Sequence, residues 1–104
     1  GSRQAVQGIL ADMATDVAAA RALCYDSARK YEAKQPIRKE GAMCKLYGLN
    51  MVRRVSDRAL EVHGGIGFFR SLPVERLYRD ARAMWLEEGA PTIQRTVIAK
   101  ELLD

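Results

Sequence analysis

Apolar residues recur along the first third of the chain at steps of three and four: Val6, Leu10, Met13, Val17, Ala20, Cys24 and Tyr31, with Ser27 or Ala28 filling the gap. That spacing predicts one amphipathic helix from Gln4 to about Ala33, supported by the alanine-rich centre and roughly 45 Å long. Lys34-Gln35-Pro36 ends it, because the residue before a proline is pushed out of the helical region. A second long helix is expected from near Pro36 to about His63, with Met43, Tyr47, Met51, Val55, Ala59 and Val62 as its stripe and Leu46 and Leu49 widening it. Gly64-Gly65 suits its C-terminus, where glycine supplies the left-handed residue. A loop follows, and Pro73 opens a short third helix with Val74, Leu77, Tyr78, Ala81 and Trp85 on one face. After Glu88-Gly89-Ala90-Pro91, the residues Ile93, Val97, Ile98 and Leu102 mark a fourth helix starting at Pro91. Period-two alternation and internal repeats are both absent from the sequence. The expected fold is all-α: two long antiparallel helices plus two short ones.

Size and charge narrow the function classes. At 104 residues the chain can form one domain with a modest core. Gly1-Ser2 reads as a tag scar, leaving 3–104 as a single helical domain. The apolar stripes exceed what two long and two short helices can cover, so a partner surface is expected. No apolar run reaches the roughly 18–20 residues of a membrane span. The net charge of +4 raises the question of nucleic acid, yet the basic residues are dispersed and lack interleaved aromatics. Only Arg76, Arg79 and Arg82 line up at i, i+3, i+6, so a solvated mixed-charge surface is expected and no nucleic-acid partner. Cys24 and Cys44 lack CxxC spacing and companion histidines, which predicts buried, reduced thiols and no metal site.

The candidate chemistry lies between Leu60 and Leu103. His63-Gly64-Gly65-Ile66-Gly67 forms a glycine-rich bend that backbone-level ligand contact can exploit, since glycine carries no Cβ. Glu88 stands directly before Gly89, where a carboxylate can serve as a general base; it also suits the positive end of a helix beginning at Pro91. Arg79-Asp80 reads as a pair tying the third helix to its neighbours. His63, the only histidine, reads as a helix-end residue, and Tyr47, Tyr78 and Trp85 as core.

Taken in order, these segments resemble the C-terminal helical domain of acyl-CoA dehydrogenases. The resemblance is carried by Val62-His63-Gly64-Gly65-Ile66-Gly67-Phe68, by Pro73-Val74-Glu75-Arg76-Leu77-Tyr78-Arg79-Asp80-Ala81-Arg82, by Glu88-Gly89 and by Ile93-Gln94-Arg95. Gln4-Ala5-Val6-Gln7, Leu10-Ala11-Asp12-Met13 and Ala42-Met43-Cys44-Lys45 extend it across nearly the whole chain. By this comparison the helix that opens the domain, an N-terminal helical domain and a middle β domain lie outside the sequence, and this piece alone is expected to be inactive.

The resemblance implies a four-helix-bundle domain of an FAD-dependent enzyme that oxidises an acyl-CoA thioester to its 2,3-enoyl form. Glu88 matches the family's usual position for the base that removes the α-proton, with Gly89 beside the substrate. Glu87 remains a second candidate for the base. Glu61, Val62, His63, Gly64 and Gly65 match the family's contact with the adenine end of FAD, reached across a dimer interface. Ala90 and Thr92 match positions near the flavin. Glu61 departs from the family's usual glutamine, and an ionised carboxylate accepts hydrogen bonds without donating any. Ala90-Pro91 and Thr92 depart from the family's hydroxyl-bearing and longer polar side chains. The implied partners are an acyl-CoA, an electron-transfer flavoprotein and further copies of the chain as a homodimer or homotetramer, in bacterial cytoplasm or mitochondrial matrix. The alternative reading is a non-catalytic oligomerisation module derived from the same family.

Overall fold

The computed structural model describes residues 2–64, 73–86 and 91–103, all of which lie in four helices or the short connections beside them. These are α1 (Ser2–Glu32), α2 (Arg38–His63), α3 (Pro73–Leu86) and α4 (Pro91–Leu103). The starts at Pro73 and Pro91 and the end at His63 fall where the sequence pattern puts them. Proline tolerates a first helical turn because its missing N–H would lack a partner there anyway. The 31 residues of α1 set the long dimension of the 48 × 27 × 24 Å molecule.

α1 and α2 run antiparallel, as their cross-contacts require. Ser27 Oγ lies 3.2 Å from Cys44 Sγ, and Arg54 bonds to Asp16, so early residues of one helix meet late residues of the other. Arg38, at the start of α2, likewise reaches Glu101 near the end of α4 at 3.5 Å. α2 is the central element and packs against α1, α3 and α4. It therefore supplies the buried Ala42, Leu49 and Leu60, while α1 contributes Ala20, and α3 contributes Val74 and Ala81.

The turn after α1 shows how a helix stops without glycine. Gln35 N–H bonds to the Lys30 carbonyl at 2.9 Å and Lys34 N–H to the Tyr31 carbonyl at 3.0 Å. This paired capping needs a left-handed residue, and Lys34 occupies it at φ 61°. A side chain with a Cβ costs roughly 1–2 kcal/mol there. Lys34→Gly is expected to stabilise the chain by about 0.5–1 kcal/mol after glycine's own chain entropy is subtracted. A thermal melt checks it, and an unchanged or lower Tm would contradict the assigned cap.

Packing also corrects three sequence expectations. The covered arc of α1 runs through Val6, Ile9, Met13, Val17, Ala20, Leu23 and Ser27, while Leu10, Cys24 and Tyr31 face outward. Adjacent apolar pairs such as Ile9-Leu10 and Leu23-Cys24 make the apolar arc wider than its neighbour can cover. Cys24 is thus an exposed free thiol and Cys44 a half-buried one. Burial, and then the Cys44 side chain, still push the Cys24 thiol above its ordinary value. Leu77, expected on the inner face of α3, is 61% exposed, as are most of Ile93 and Leu102. Finally, Arg79 pairs with Glu75 at 2.8 Å and Arg76 with Asp80 at 3.8 Å, both within α3. These pairs ride on the surface at i, i+4 and bind α3 to no other helix.

One ion pair does cross the α1–α2 interface. Arg54 grips both carboxylate oxygens of Asp16, at 3.0 and 3.2 Å, and its guanidinium lies 5.6 Å from the Tyr47 ring centre. The Arg54 hydrogen bond, with the charges of Arg54 and Arg58, holds the Asp16 carboxyl below its usual range. A depressed acid stabilises the fold above its unfolded pKa and loses that contribution as pH falls through the folded value. The pair is partly exposed, so about 0.5–1 kcal/mol is the expected size. Asp16→Asn should remove that amount at neutral pH and flatten the acid limb below about pH 4, as read by urea titrations. An acid limb identical to the wild type would assign no weight to the pair.

Candidate functional site: the end of α2

α2 ends at the glycine bend expected from the sequence. Gly64 adopts φ 68° and ψ −154°, and its N–H bonds to the Glu61 carbonyl. A Cβ placed on Gly64 would meet no atom of the described residues within 4 Å. Gly64 itself is exposed. His63 folds back on its own helix, Nδ1 lying 2.8 Å from the Ala59 carbonyl. Because a carbonyl only accepts, that ring nitrogen carries the proton.

The face leading to this bend holds two adjoining grooves. Asp57, Leu60, Glu61, Gly64 and Tyr78 line one of about 450 Å³. Asp57 and Tyr78 are shared with a second, polar groove of about 600 Å³, where Arg53, Arg54, Arg58 and Arg82 converge. Residues 50, 54, 57, 61 and 64 are spaced four, three, four and three apart, which keeps them on one face of α2. Tyr78 and Arg82, one turn apart on α3, close the other side.

Of the residues singled out in the sequence, Glu61 and Gly64 share the first groove. Val62 is half-buried, and the exposed His63 does not line it. Thr92 is exposed in the first turn of α4, and its carbonyl accepts the Thr96 hydroxyl at 3.1 Å. Gly65, Glu87, Glu88, Gly89 and Ala90 lie outside the described residues, as does the side chain of Trp85. From the sequence Arg58 has no site role, Tyr78 reads as core and Arg82 as one of three aligned surface arginines. Arg58 is within reach of the α2 face read backwards from Gly64, whereas Tyr78 and Arg82 come from α3. Among the described residues no group of three His, Cys, Asp or Glu side chains could hold a metal ion, and no helix is long and apolar enough to cross a membrane.

A central helix flanked by three others, ending in a positive-φ glycine beside a groove, defines a helical-bundle domain. The model of the acyl-CoA dehydrogenase C-terminal domain matches residues 1–103, and the chain belongs to that family. It is 45% identical over 100 residues to an acryloyl-CoA reductase (NADH) of Anaerotignum propionicum, covering 96% of this chain and 25% of that protein. It is 41% identical to the mitochondrial short-chain specific acyl-CoA dehydrogenase of Bos taurus, covering 96% of this chain and 24% of that one. A solved structure described as the electron transferring flavoprotein of Acidaminococcus fermentans contains a chain that superposes with a TM-score of 0.91 at 34% identity, over 96% of this chain and 26% of that one. The chain thus spans about a quarter of the length of the curated relatives it matches. The expected fold and family are both found.

Proposed function

We propose that this chain is the C-terminal part of an FAD-dependent acyl-CoA dehydrogenase that converts an acyl-CoA to its 2,3-enoyl-CoA. The observation that carries the reading is the open, left-handed Gly64 at the end of α2, within the segment that matches the family's FAD contact. Its exposed backbone and the adjoining grooves suit the approach of a cofactor's adenine end. Glu61 opposes it, bringing negative charge toward a pyrophosphate, as do the departures at Ala90 and Thr92 from the family's polar side chains. FAD, when bound, supplies the acceptor for the hydrogen that leaves the β-carbon as hydride.

Glu88 takes the α-proton onto its carboxylate. A carboxylate of ordinary pKa near 4 is too weak a base for a carbon acid, so substrate must displace water from around it. Gly89, carrying no side chain, allows the thioester to lie against the backbone beside it. Glu61, Val62, His63, Gly64 and Gly65 bind the cofactor's adenine end, and Ala90 and Thr92 lie near the flavin. The exposed Leu77, Met84, Ile93 and Leu102 supply apolar area for assembly with further domains and copies. An electron-transfer flavoprotein is the proposed redox partner, because one relative is a subunit of a caffeyl-CoA reductase-Etf complex in Acetobacterium woodii. Bacterial cytoplasm or mitochondrial matrix is the proposed location, because relatives include a Bacillus subtilis protein and a mitochondrial enzyme of Bos taurus.

The test is purification of a longer chain that includes this domain. Flavin absorbance that bleaches on adding acyl-CoA supports the reading. A colourless protein that stays inert after incubation with FAD favours the oligomerisation module instead.

A further inference from the structure

We infer that Cys24 and Cys44 form an oxidative modification site, at which a low-molecular-weight disulfide such as glutathione disulfide converts the two thiols into one intrachain disulfide across the α1–α2 interface. The inference concerns the two long helices alone and is independent of flavin binding and of the proposed function.

The register of α1 on α2 brings the thiols together. Asp16 meets Arg54 and Ser27 meets Cys44, with Ser27 Oγ 3.2 Å from Cys44 Sγ. Cys24 lies three residues before Ser27, hence one turn away on the same side of α1, at the solvent edge of that contact. The Cys24 and Cys44 side chains are hydrogen-bonding neighbours, although the whole α1–α2 turn separates them in sequence. Both are free thiols, and their access to solvent differs: Cys24 is exposed and Cys44 half-buried. Cys24 is therefore the sulfur that a dissolved reagent reaches, and Cys44 the one held at the interface. Ser27 is buried, and its hydroxyl can donate to Cys44 Sγ, which favours the thiolate there. The chain has two cysteines, so a single pairing is available within it.

The exchange balances in two steps. The Cys24 thiolate attacks one sulfur of the reagent, breaks its S–S bond and releases the first small thiol, which leaves Cys24 in a mixed disulfide. The Cys44 thiolate then attacks the Cys24 sulfur, forms the Cys24–Cys44 bond and expels the second small thiol. Two electrons pass from the protein to the reagent, and the protons of the two protein thiols end on the two released thiols. Burial and the Cys44 side chain push the Cys24 thiol above its ordinary value, so the first step is the slow one at neutral pH. The second is fast, because Cys44 already stands beside the bond it attacks.

The experiment treats a longer chain that includes this domain with glutathione disulfide under native conditions, blocks the remaining thiols with iodoacetamide and maps the tryptic peptides by mass. Cleavage after Arg21, Arg29, Lys39 and Lys45 places Cys24 and Cys44 on separate peptides. The expected result is a linked pair of these peptides, lighter than their sum by two hydrogen atoms. It should come from the single-chain band of a non-reducing gel and disappear after dithiothreitol. Cys44→Ser should halt at the glutathione adduct on Cys24, and Cys24→Ser should leave Cys44 unmodified over the time in which the wild type is fully linked. Ser27→Ala should keep the first step at the wild-type rate while the Cys24 adduct accumulates, because the hydroxyl assists Cys44 alone. A variant that merely loosened the two helices would expose Cys44 and would not separate the two steps in this way. A Cys24 adduct in the wild type that never passes to Cys44, linked peptides confined to covalent dimers, or no modification at either cysteine would each overturn the inference. Flavin absorbance, read on the same preparation, tests the proposed function separately.

Discussion

Replacing Glu88 by Gln in a full-length, flavin-loaded chain is expected to lower acyl-CoA turnover by at least about 100-fold, the usual scale for loss of a general base. The swap keeps the side chain's size and removes its capacity to take a proton at neutral pH. Flavin absorbance should persist, because Glu88 is proposed to act on substrate. Turnover and flavin content must be measured on the same preparation, since a variant that lost its cofactor would mimic a lost base. Unchanged turnover would move the proton abstraction to Glu87 or to a residue beyond this chain. A fall in KM together with kcat would instead mean that Glu88 strains the bound substrate.

Leu60→Ala is expected to cost about 2–4 kcal/mol of stability, near the middle of the range for a buried leucine. Leu60 is 5% exposed on α2 and faces the groove that ends at Gly64. Among the described residues Ala20, Ala42, Leu49, Val74 and Ala81 make up the rest of the buried apolar set, so few large side chains there carry the packing. The loss should therefore be steep, and the groove beside it should loosen. The paired comparison is Leu77→Ala, where a side chain already 61% exposed should cost under about 0.5 kcal/mol. Urea titrations at a common m-value check both. A Leu60→Ala cost below about 1 kcal/mol would contradict the packing of α2 described above.

The positions of the four helices were legible because their boundaries rest on local chemistry. Proline at 73 and 91 and glycine at 64 act through φ and the missing N–H, which depend on neighbours in sequence alone. The apolar arcs were legible in period and only partly in phase. On α1 both members of the pairs Ile9-Leu10 and Leu23-Cys24 are apolar, and the sequence holds no term that chooses between them. The covering surface of α2 makes that choice, turning Leu10 and Cys24 outward. Arg79 illustrates the same limit for charge. Its partner is Glu75, four residues earlier on the same face, instead of a residue on another helix.

By itself, then, the chain determined its helical class, its breaks, its kinship and the glycine bend at 64, since each follows from backbone preference or from residue identity in order. Only the tertiary structure decided which apolar residues are covered and which arginines meet. Arg58 and Arg82 are 24 positions apart, and only the antiparallel return of α3 along α2 lines one groove with both. Burial and charge convergence depend on through-space distance between helices, and a one-dimensional pattern carries no such distance.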